Sequence, residues 1–347
     1  MDLFEQLCSL ENLHKAYLGA RRNKRYRRSI LKFGFKLEEN LLKLREELLS
    51  QTYKHGGYRQ FFVYDSKKRL IKVAPFRDRV VHHALCNIID PIFDKSFIYD
   101  SYACRKGKGT HSALKKLRTF LRKSDNKTNS YCLKCDIKKY FDNINKDILS
   151  RFIRRRIKDN RIMWLIDEII YSDISSGDIG VPIGNLTSQL FANIYLDKLD
   201  QYIKCHLKVK HYLRYMDDFL ILRCDKKLLD LFRIKIEKFL SKYLRLELNY
   251  KRVGIFPMRL GVDFLGFINF YYYRLIRKSS IKRFWRGIKY FQKNKKPIDF
   301  IYRKCQSWLS HSRFASSWRL RRSLEKKLDI DFEETSKKST SDHGIGE

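Results

Sequence analysis

The sequence predicts an α+β fold, and three observations carry that prediction. Short apolar and aromatic stretches bounded by turn residues are typical of antiparallel strands. Amphipathic segments with helical spacing connect them. Hydrophobic residues make up 44% of the 347 residues, enough to bury a core. A chain of this length fills roughly two or three domain-sized lobes, so we expect helices and antiparallel sheets divided among several lobes.

The chain is strongly basic. It carries 75 Lys and Arg against 38 Asp and Glu, a formal charge of +37. Such an excess is typical of proteins that bind a polyphosphate, and the 14% aromatic content excludes a disordered basic tail. The sequence shows neither a secretory leader pattern nor a run of about 18 apolar residues, so we expect a cytoplasmic protein with no membrane partner.

The eight cysteines are scattered. Cys132 and Cys135 alone are spaced as C-x-x-C, and no second pair completes a zinc site. We interpret both as reduced cysteines packed within a strand.

The N-terminal third begins with helices. The first 55 residues have helical periodicity, and the arginine-rich run at 21–28 either contacts phosphate or forms a solvated helix face. Two apolar stretches within 61–72 flank a polar turn at 65–68, which predicts a β-hairpin. A helix over 80–92, a loop with the sequence SYACRKGKGTHSA and a basic helix over 114–122 follow.

The rest of the chain alternates strands and helices. Two apolar arms within 211–223 enclose Asp217 and Asp218, a pattern typical of a second hairpin. The other predicted elements are a strand (131–137), a helix from about 145, a turn-rich segment (177–184), helices over 187–203 and 228–244, a strand pair through 264–267 and a helical region over 280–328.

Two carboxylate positions lie where a predicted strand meets a turn. Asp136 ends one strand, and Asp217 and Asp218 occupy the tip of the second hairpin. Alone, such residues are usually caps or surface turns. Nucleotide polymerisation, however, needs two Mg²⁺ ions bridged by carboxylates, for which Mn²⁺ can substitute. In so basic a chain, the metal ions would neutralise the acidic cluster while Lys and Arg hold nucleic acid.

The chain resembles the reverse transcriptases. The resemblance depends on Tyr215–Asp218 (YMDD), which lies between apolar strands and follows Asp136 and Phe141, and it covers about residues 50–330. It implies a right-hand polymerase that makes DNA on a template RNA. The implied parts are an N-terminal helical segment and fingers (1–130, with an insertion at about 150–185), a palm (131–270), a short thumb (271–335) and a polar tail (336–347).

The resemblance also implies roles for individual residues. Asp136, Asp217 and the backbone of Ile137 would hold the metal ions, Asp218 would assist, and Phe141 would exclude a 2′-hydroxyl. The backbone amides of 137–140 would face the triphosphate. The implied nucleotide contacts are Lys67, Arg69 (foremost, unless it is only a solvated hairpin charge), Lys72, Ile137, Lys138, Lys139, Tyr140, Phe141, Ile183, Gly184 and Gln189. The implied contacts to the RNA–DNA hybrid are Arg105, Lys106, Tyr215, Met216, Gly266, Arg277, Lys278, Lys282 and Arg283.

The segment VPIGNLTSQ at 181–189 indicates which group of reverse transcriptases the chain resembles. Many reverse transcriptases carry a Gln where this chain has Ile183 and a Pro where it has Gln189. The variant resembles the enzymes of diversity-generating retroelements, which copy an adjacent template RNA, misincorporate opposite adenine and work with a small basic accessory protein, a homopentamer. Because Ile183 can pack but cannot hydrogen-bond, we expect lower fidelity. The alternative is that Ile183 is merely a buried strand-end residue.

Two expectations concern the C-terminal part of the chain, at the end of the palm and in the thumb. Trp308, Phe314 and Trp318 recur among leucines at helical spacing, so we expect them in a helical core and not as base-stacking platforms. Gly266 within FLGF indicates a close backbone approach.

Other functions stay open. One is a retron or group II intron-type reverse transcriptase. The chain has neither the Val-Thr-Gly nor the Asn-Ala-x-x-His segment usual in retron enzymes, and group II intron proteins usually extend well past the thumb. Another is a catalytically silent RNA-binding scaffold, for which the presence of Asp136, Asp217 and Asp218 is unfavourable.

Overall fold

The computed structural model describes residues 2–64, 68–123 and 130–328. The turn at 65–67, with Lys67, and the polar tail therefore lie outside the described residues. The chain divides into two compact units, each described by itself: a first unit within 1–113 and 131–256, and a second unit within 114–130 and 257–347. The three-part division into fingers, palm and thumb stays a prediction.

Four helices open the first unit, as the periodicity predicts. They are α1 (Leu3–Cys8), α2 (Leu10–Arg21), α3 (Arg28–Phe35) and α4 (Leu37–Leu49). Asp2 and Ser9 cap α1 and α2 by accepting bonds from the amides of Glu5 and Asn12, which satisfies donors that a helix start leaves open. The arginine-rich run lies between α2 and α3 and is largely exposed.

The predicted hairpin is confirmed. Strands β1 (Arg59–Tyr64) and β2 (Lys68–Val73) pair antiparallel, with Val63 opposite Arg69. Every residue of β1 is exposed. Pro75 then caps α5 (Phe76–Asp94), which is longer than predicted and keeps Pro91 in its last turn. Helix α6 (Thr110–Lys123) begins in the first unit and continues into the second.

A four-stranded sheet forms the centre of the first unit. Its strands are β3 (Tyr131–Asp136), β4 (Tyr212–Tyr215), β5 (Asp218–Arg223) and β6 (Gly254–Pro257), in the order β4-β5-β3-β6. Cys132 and Cys135 are buried free thiols on β3, and burial raises the pKa of each, which agrees with packing cysteines. The antiparallel register places Asp136 opposite Asp218 and Asp218 opposite Tyr215.

Four further helices belong to the first unit. They are α7 (Lys146–Arg154), α8 (Asn160–Tyr171), α9 (Leu186–Gln201) and α10 (Lys226–Phe239), and α9 and α10 end in π-helical turns at Tyr202–His206 and Leu240–Leu244. Asn145 caps α7 and Asp225 caps α10. Helix α9 packs against both α5 and α7, and twelve of its residues are buried. Its apolar residues are therefore distributed over several faces of the helix and not along one.

The second unit combines a small sheet with three helices. Strands β7 (Val262–Phe264), β8 (Phe267–Asn269) and β9 (Arg274–Ile276) form an antiparallel sheet, and β9 was not predicted. Helices α11 (Lys278–Lys293), α12 (Ile298–Ser312) and α13 (Trp318–Leu328) enclose a core that includes Ile288, Cys305 and Leu324.

The expectation for the thumb aromatics was correct for one residue of three. Trp308 stacks on Phe284 with ring centroids 4.1 Å apart, beside the core. The prediction was wrong for Phe314 and Trp318, whose side chains are 46% and 60% exposed. Phe314 lies in the loop after α12 and Trp318 is the first residue of α13, so helical spacing does not turn either one inward.

Gly266 lies in a turn of the second unit, and its contact with nucleic acid stays a prediction. Leu265 and Gly266 both have positive φ, 50° and 88°, in the two-residue turn between β7 and β8. A Cβ at Gly266 would lie 3.4 Å from His311, an ordinary contact. The glycine is therefore favoured by the backbone conformation of the turn and not by a close approach. Among the described helices, none has the length and apolar character needed to cross a membrane.

Candidate active site

Asp136 and Asp217 lie together at one end of the central sheet. Asp136 is the last residue of β3, and Asp217 follows Met216, which has a φ of 57°, in the turn between β4 and β5. The amide of Ile137 donates to the carbonyl oxygen of Asp217 at 3.2 Å, which ties the end of β3 to this turn. Burial, and then the negative charge of Asp136, raise the pKa of the Asp217 carboxyl.

Two side chains that the sequence analysis missed orient Asp136. Asn249 Nδ2 donates to Asp136 Oδ1 at 2.8 Å, and the amide of Asn249 donates to the carbonyl oxygen of Asp136, also at 2.8 Å. Arg252 Nη1 donates to Asp136 Oδ2 at 3.2 Å. Both residues follow α10 in a segment with no recognisable pattern, so only the fold brings them to the site.

Asp218 is held differently. It lies on β5, and Lys134 Nζ is 3.8 Å from its Oδ2 atom. Within the described ranges, no group of three or more His, Cys, Asp or Glu side chains could hold a metal ion. The structure therefore brings together Asp136 and Asp217, with Asp218 beside a lysine.

A buried ion pair supports the turn that carries Asp217. The side chains of Arg214 and Asp200 are both 0% exposed, with Nη2 and Oδ2 2.6 Å apart. Tyr212 donates its hydroxyl to Asp200 Oδ1 at 2.6 Å. Arg214 Nη1 donates to Asn193 Oδ1 at 3.2 Å and to the carbonyl oxygen of Met216 at 3.1 Å. An arginine inside an apolar strand indicates a buried carboxylate partner, because burial of an unpaired charge lowers the stability of the fold.

The hairpin of β1 and β2 carries two of the predicted nucleotide contacts, and the structure separates them. Arg69 is exposed, and its positive charge acts to lower the pKa of Asp217, so it lies within electrostatic reach of that carboxylate. Lys72 Nζ instead lies 2.5 Å from Asp173 Oδ2 and 2.9 Å from Ser175 Oγ, and its side chain is only 14% exposed. Lys72 therefore has a structural role at the base of the hairpin, and its contact with the nucleotide stays a prediction.

The segment with the unusual motif packs against that hairpin. The carbonyl oxygen of Ile183 accepts a bond from the amide of Lys72 at 3.0 Å. Gly184 has a φ of 127°, and a Cβ there would lie 3.1 Å from both Ile71 Cγ2 and the carbonyl oxygen of Lys72, so glycine is required by conformation and by space. Ile183 is half-buried in a turn and not a buried strand end, and Gln189 is half-buried near the start of α9.

The residues after Asp136 form a tight turn and a short 3₁₀ helix. The amide of Lys138 donates to the carbonyl oxygen of Glu247 at 2.9 Å, and its Nζ contacts Glu247 Oε2 at 2.8 Å. Because the amide of Ile137 is also used within the protein, the expectation that all amides of 137–140 face a triphosphate is corrected. Lys139 has a φ of 44°, the ring of Tyr140 is buried, and Phe141 is half-buried.

Residues predicted to hold nucleic acid have different environments in the first unit. The guanidinium of Arg105 is buried and donates to Asp94 Oδ1 at 2.5 Å and to the carbonyl oxygen of Ser101 at 2.9 Å, and its contact with nucleic acid stays a prediction. Lys106 is exposed. The hydroxyls of Tyr215 and Thr110 share a hydrogen bond of 3.2 Å, which fixes the ring at the start of the YMDD sequence.

In the second unit, the predicted basic residues lie at the start of α11. Lys278, Lys282 and Arg283 are exposed. Arg277 donates from Nε to Asp263 Oδ1 at 2.9 Å, so part of its charge is neutralised within the protein.

Comparison with known proteins identifies the family of this chain. The family model described as "Reverse transcriptase (RNA-dependent DNA polymerase)" matches residues 54–269, more than half of the 347 residues. The chain belongs to the reverse transcriptase family. This membership supports RNA-directed DNA polymerase activity and a right-hand polymerase fold, both as predicted.

Individual relatives differ in how much of their length is matched. Protein YkfC of Escherichia coli (strain K12) is 29% identical over 281 residues, 68% of this chain and 71% of YkfC. The group II intron-encoded protein LtrA of Lactococcus lactis is 29% identical over 186 residues, 50% of this chain but 29% of LtrA. A telomerase structure from Candida albicans aligns with a TM-score of 0.49 at 12% identity, over 74% of this chain and 55% of the telomerase. Group II intron relatives fit the alternative that the sequence analysis kept open, and the retroelement subtype stays a prediction.

Proposed function

We propose that the chain polymerises dNTPs into cDNA on a template RNA, that it holds two Mg²⁺ ions with Asp136 and Asp217, and that it is the error-prone enzyme of a diversity-generating retroelement. The observation that carries the first two parts is the pairing of two carboxylates at one end of the sheet, in a chain whose net charge is +37. A basic surface can hold RNA and the RNA–DNA hybrid, and a carboxylate pair can hold metal ions.

The donors present suit a hard divalent cation. Mg²⁺ prefers oxygen ligands, and two carboxylates with the adjacent backbone carbonyl of Ile137 supply them, while Mn²⁺ accepts the same donors. Burial, and then the negative charge of Asp136, raise the pKa of Asp217, and a bound cation would relieve the repulsion between the two carboxylates. Bound there, the ions would activate the primer 3′-hydroxyl and stabilise the leaving oxygen. Asp218 would assist from β5.

The chain's own residues would position the reactants. Asn249 and Arg252 orient Asp136, and Arg214 fixes the turn of Asp217, so the carboxylates are preorganised. Arg69 is exposed on the hairpin within electrostatic reach of Asp217, where it can bind the triphosphate. The half-buried ring of Phe141 would pack under the sugar and exclude a 2′-hydroxyl.

The proposed low fidelity depends on Ile183. This half-buried residue is bonded through its backbone to the hairpin that carries Arg69, beside the proposed nucleotide site. An aliphatic side chain there offers no hydrogen bond to the sugar or template, so base-pair geometry would be less constrained. A retroelement enzyme of this type would work with a pentameric basic accessory protein. The second candidate function is a group II intron-type reverse transcriptase, favoured by the similarity to LtrA.

Substitution of the aspartates tests the polymerase proposal. Asp217→Asn should reduce dNTP incorporation at least about a thousandfold, because one of two metal-binding carboxylates is lost. Asp218→Asn is the matched variant, and we expect a smaller loss from it. Primer extension measures incorporation, and filter binding should show template RNA still retained by both variants. Near-normal incorporation by Asp217→Asn would refute the assignment.

Ile183→Gln tests the retroelement part separately. A hydrogen-bonding side chain should lower misincorporation opposite template adenine by about fivefold to tenfold while extension continues. Sequencing of extension products on an adenine-rich template measures the error spectrum. Leu186→Gln, three positions along the same motif and partly exposed, is the control that should leave the spectrum unchanged. An unaltered spectrum in Ile183→Gln removes the subtype and leaves the polymerase proposal standing.

A further inference from the structure

A small cavity in the second unit has no role in the site described above. Its volume is about 160 Å³, and it lies between the β8–β9 loop (270–273), the loop between α12 and α13, and Arg118 of α6. Ligand pockets for whole drug-sized molecules are usually several hundred Å³, so this one fits a single phosphate group and not an entire nucleotide.

The cavity is lined by cations and by no described acidic residue. Arg118, Arg274 and Arg313 contribute three guanidinium groups. Arg274 is half-buried, and the three acceptors that it reaches are all uncharged: Asn269 Oδ1 at 2.7 Å, and the carbonyl oxygens of Phe314 and Leu114, both at 3.2 Å. Burial, followed by the charge of Arg118, lowers the pKa of Arg274. The positive charge at this position therefore favours an anion.

Aromatic rings surround the cations. Tyr272 is 67% exposed and Phe314 46% exposed, and both line the cavity. Tyr273 stacks on Phe270 with ring centroids 4.5 Å apart, which stiffens the loop. Exposed aromatic faces beside arginines are the combination on which proteins stack the bases of single-stranded nucleic acid.

The cavity walls are fixed by backbone hydrogen bonds. The amide of Phe270 donates to the carbonyl oxygen of Tyr273 at 2.9 Å, and Arg122 Nε donates to the carbonyl oxygen of Tyr271 at 3.3 Å. The amide of Ser316 donates to the carbonyl oxygen of Arg274 at 2.8 Å. These bonds hold the two loops that carry Tyr272 and Phe314, and the half-buried Arg274 is held between them, while Arg118 and Arg313 line the cavity as exposed side chains.

We propose that this pocket binds a backbone phosphate of single-stranded nucleic acid, with an adjacent base stacked on Tyr272 or Phe314. Single strands fit better than duplex, because a stacked base must leave its own helix. The proposed function supplies two such strands, the unpaired template RNA and a displaced cDNA. The pocket itself requires only a phosphodiester and an unpaired base.

The experiment measures oligonucleotide binding by the full chain without dNTPs. Fluorescence anisotropy would use a labelled 12-nucleotide RNA, the DNA of the same sequence and a blunt RNA–DNA duplex. The test variant is Arg118→Gln/Arg313→Gln. Its control is Arg303→Gln/Arg319→Gln, which removes the same charge from two exposed arginines of the same unit that do not line the cavity. Circular dichroism checks that both fold.

The test variant should bind single strands about tenfold more weakly, and its salt slope should fall by roughly 0.7, the contribution of the one phosphate contact that is lost. Duplex binding and the control should change by less than about twofold. Tyr272→Ala should weaken single-strand binding by about fivefold or more. An RNA preference identifies the template as the occupant and a DNA preference the product, and either supports the pocket.

Equal losses in the test and control variants would show only a general charge effect and would overturn the proposal, as would wild-type affinity in the test variant. The result is independent of catalysis. Asp217→Asn can abolish incorporation while pocket binding persists, and the arginine variant can lose binding while a short template–primer is still extended, so the two proposals fail distinguishably.

Discussion

The turn that carries Asp217 and the hairpin that carries Arg69 would serve one site in the proposed polymerase, but they are built in opposite ways. Beneath the turn, Arg214 and Asp200 are fully buried, and a guanidinium nitrogen holds the carbonyl of Met216. The hairpin has one strand, β1, that is exposed along its whole length, and Lys72 anchors its base to Asp173. The turn of Asp217, the proposed metal ligand, is held by buried polar contacts, and Arg69, the proposed nucleotide contact, lies near the end of a lightly packed element.

This difference separates two requirements of polymerisation. Carboxylates that hold metal ions must be preorganised, because misplacement costs transition-state stabilisation. An element that admits each new nucleotide must be able to move, and elements with few buried contacts open most readily. Substitutions beneath the turn should therefore lower both stability and incorporation, whereas substitutions on the hairpin should affect nucleotide binding with little loss of stability.

The largest expected effect comes from breaking the buried pair. Arg214→Met leaves Asp200 charged and unpaired in the core, so the free energy of unfolding should fall by about 3–5 kcal/mol, and incorporation should be lost with it. Urea unfolding and primer extension measure the two effects. Arg154→Met, which removes a largely exposed ion pair with Asp167, is the control and should cost at most about 1 kcal/mol.

A double substitution sharpens this result. Arg214→Met/Asp200→Leu removes both charges, so much of the lost stability should return, although Tyr212 then lacks its acceptor. Incorporation should stay low, because the bond to the Met216 carbonyl is still missing. Recovery of activity together with stability would mean that the ion pair supports only the fold and does not position the turn.

The hairpin should show the reverse behaviour. Arg69→Ala should raise the KM for dNTPs by about tenfold, because one charge contact to the triphosphate is lost, with little change in Tm since the side chain is exposed. Steady-state primer extension at varied dNTP concentration measures this. Lys68→Ala removes the neighbouring exposed charge and is the control. A matching rise in KM for both variants would contradict a specific role for Arg69.

The smallest expected effect is a pH dependence of the free energy of unfolding, caused by a buried histidine that contacts α9. His82 shares hydrogen bonds with His55 and with Thr187 of α9, and burial, then the charges of His55 and His83, lower its pKa well below the usual value. The unfolded chain takes up this proton near pH 6.5 and the folded chain does not. Stability is therefore complete above about pH 6.5 and falls by roughly 1.4 kcal/mol per pH unit below it.

Urea unfolding at pH 7.5 and 5.5 measures that loss. In His82→Gln, the difference between the two pH values should shrink by about one proton's contribution. Burial lowers the pKa of His83 to about 4, so His83→Gln removes a separate contribution of the same sign and serves as the comparison. An unchanged pH difference in His82→Gln would exclude this residue as a source.

Prediction from sequence succeeded where a pattern is local. The hairpins, the strand of Asp136 and the long helices follow from alternation, periodicity and turn residues, and each was found within a few residues of its predicted bounds. Contacts between residues distant in sequence could not be predicted. Lys72 pairs with Asp173, and Asn249 and Arg252 reach Asp136, contacts that no spacing rule encodes.

The sequence by itself determined the α+β fold class and the family, because the YMDD turn in its apolar frame and the strand-end Asp136 are local patterns with a specific chemical use. Only the tertiary structure decided which charges remain available to a ligand. Arg105 and Lys72 are neutralised by carboxylates within the protein, while Arg69 stays exposed and the hydrogen-bond acceptors of Arg274 among the described residues are uncharged oxygens. A charged side chain is available to a ligand when no oppositely charged residue of the protein pairs with it in the folded state. Whether such a residue is near depends on contacts between distant parts of the chain.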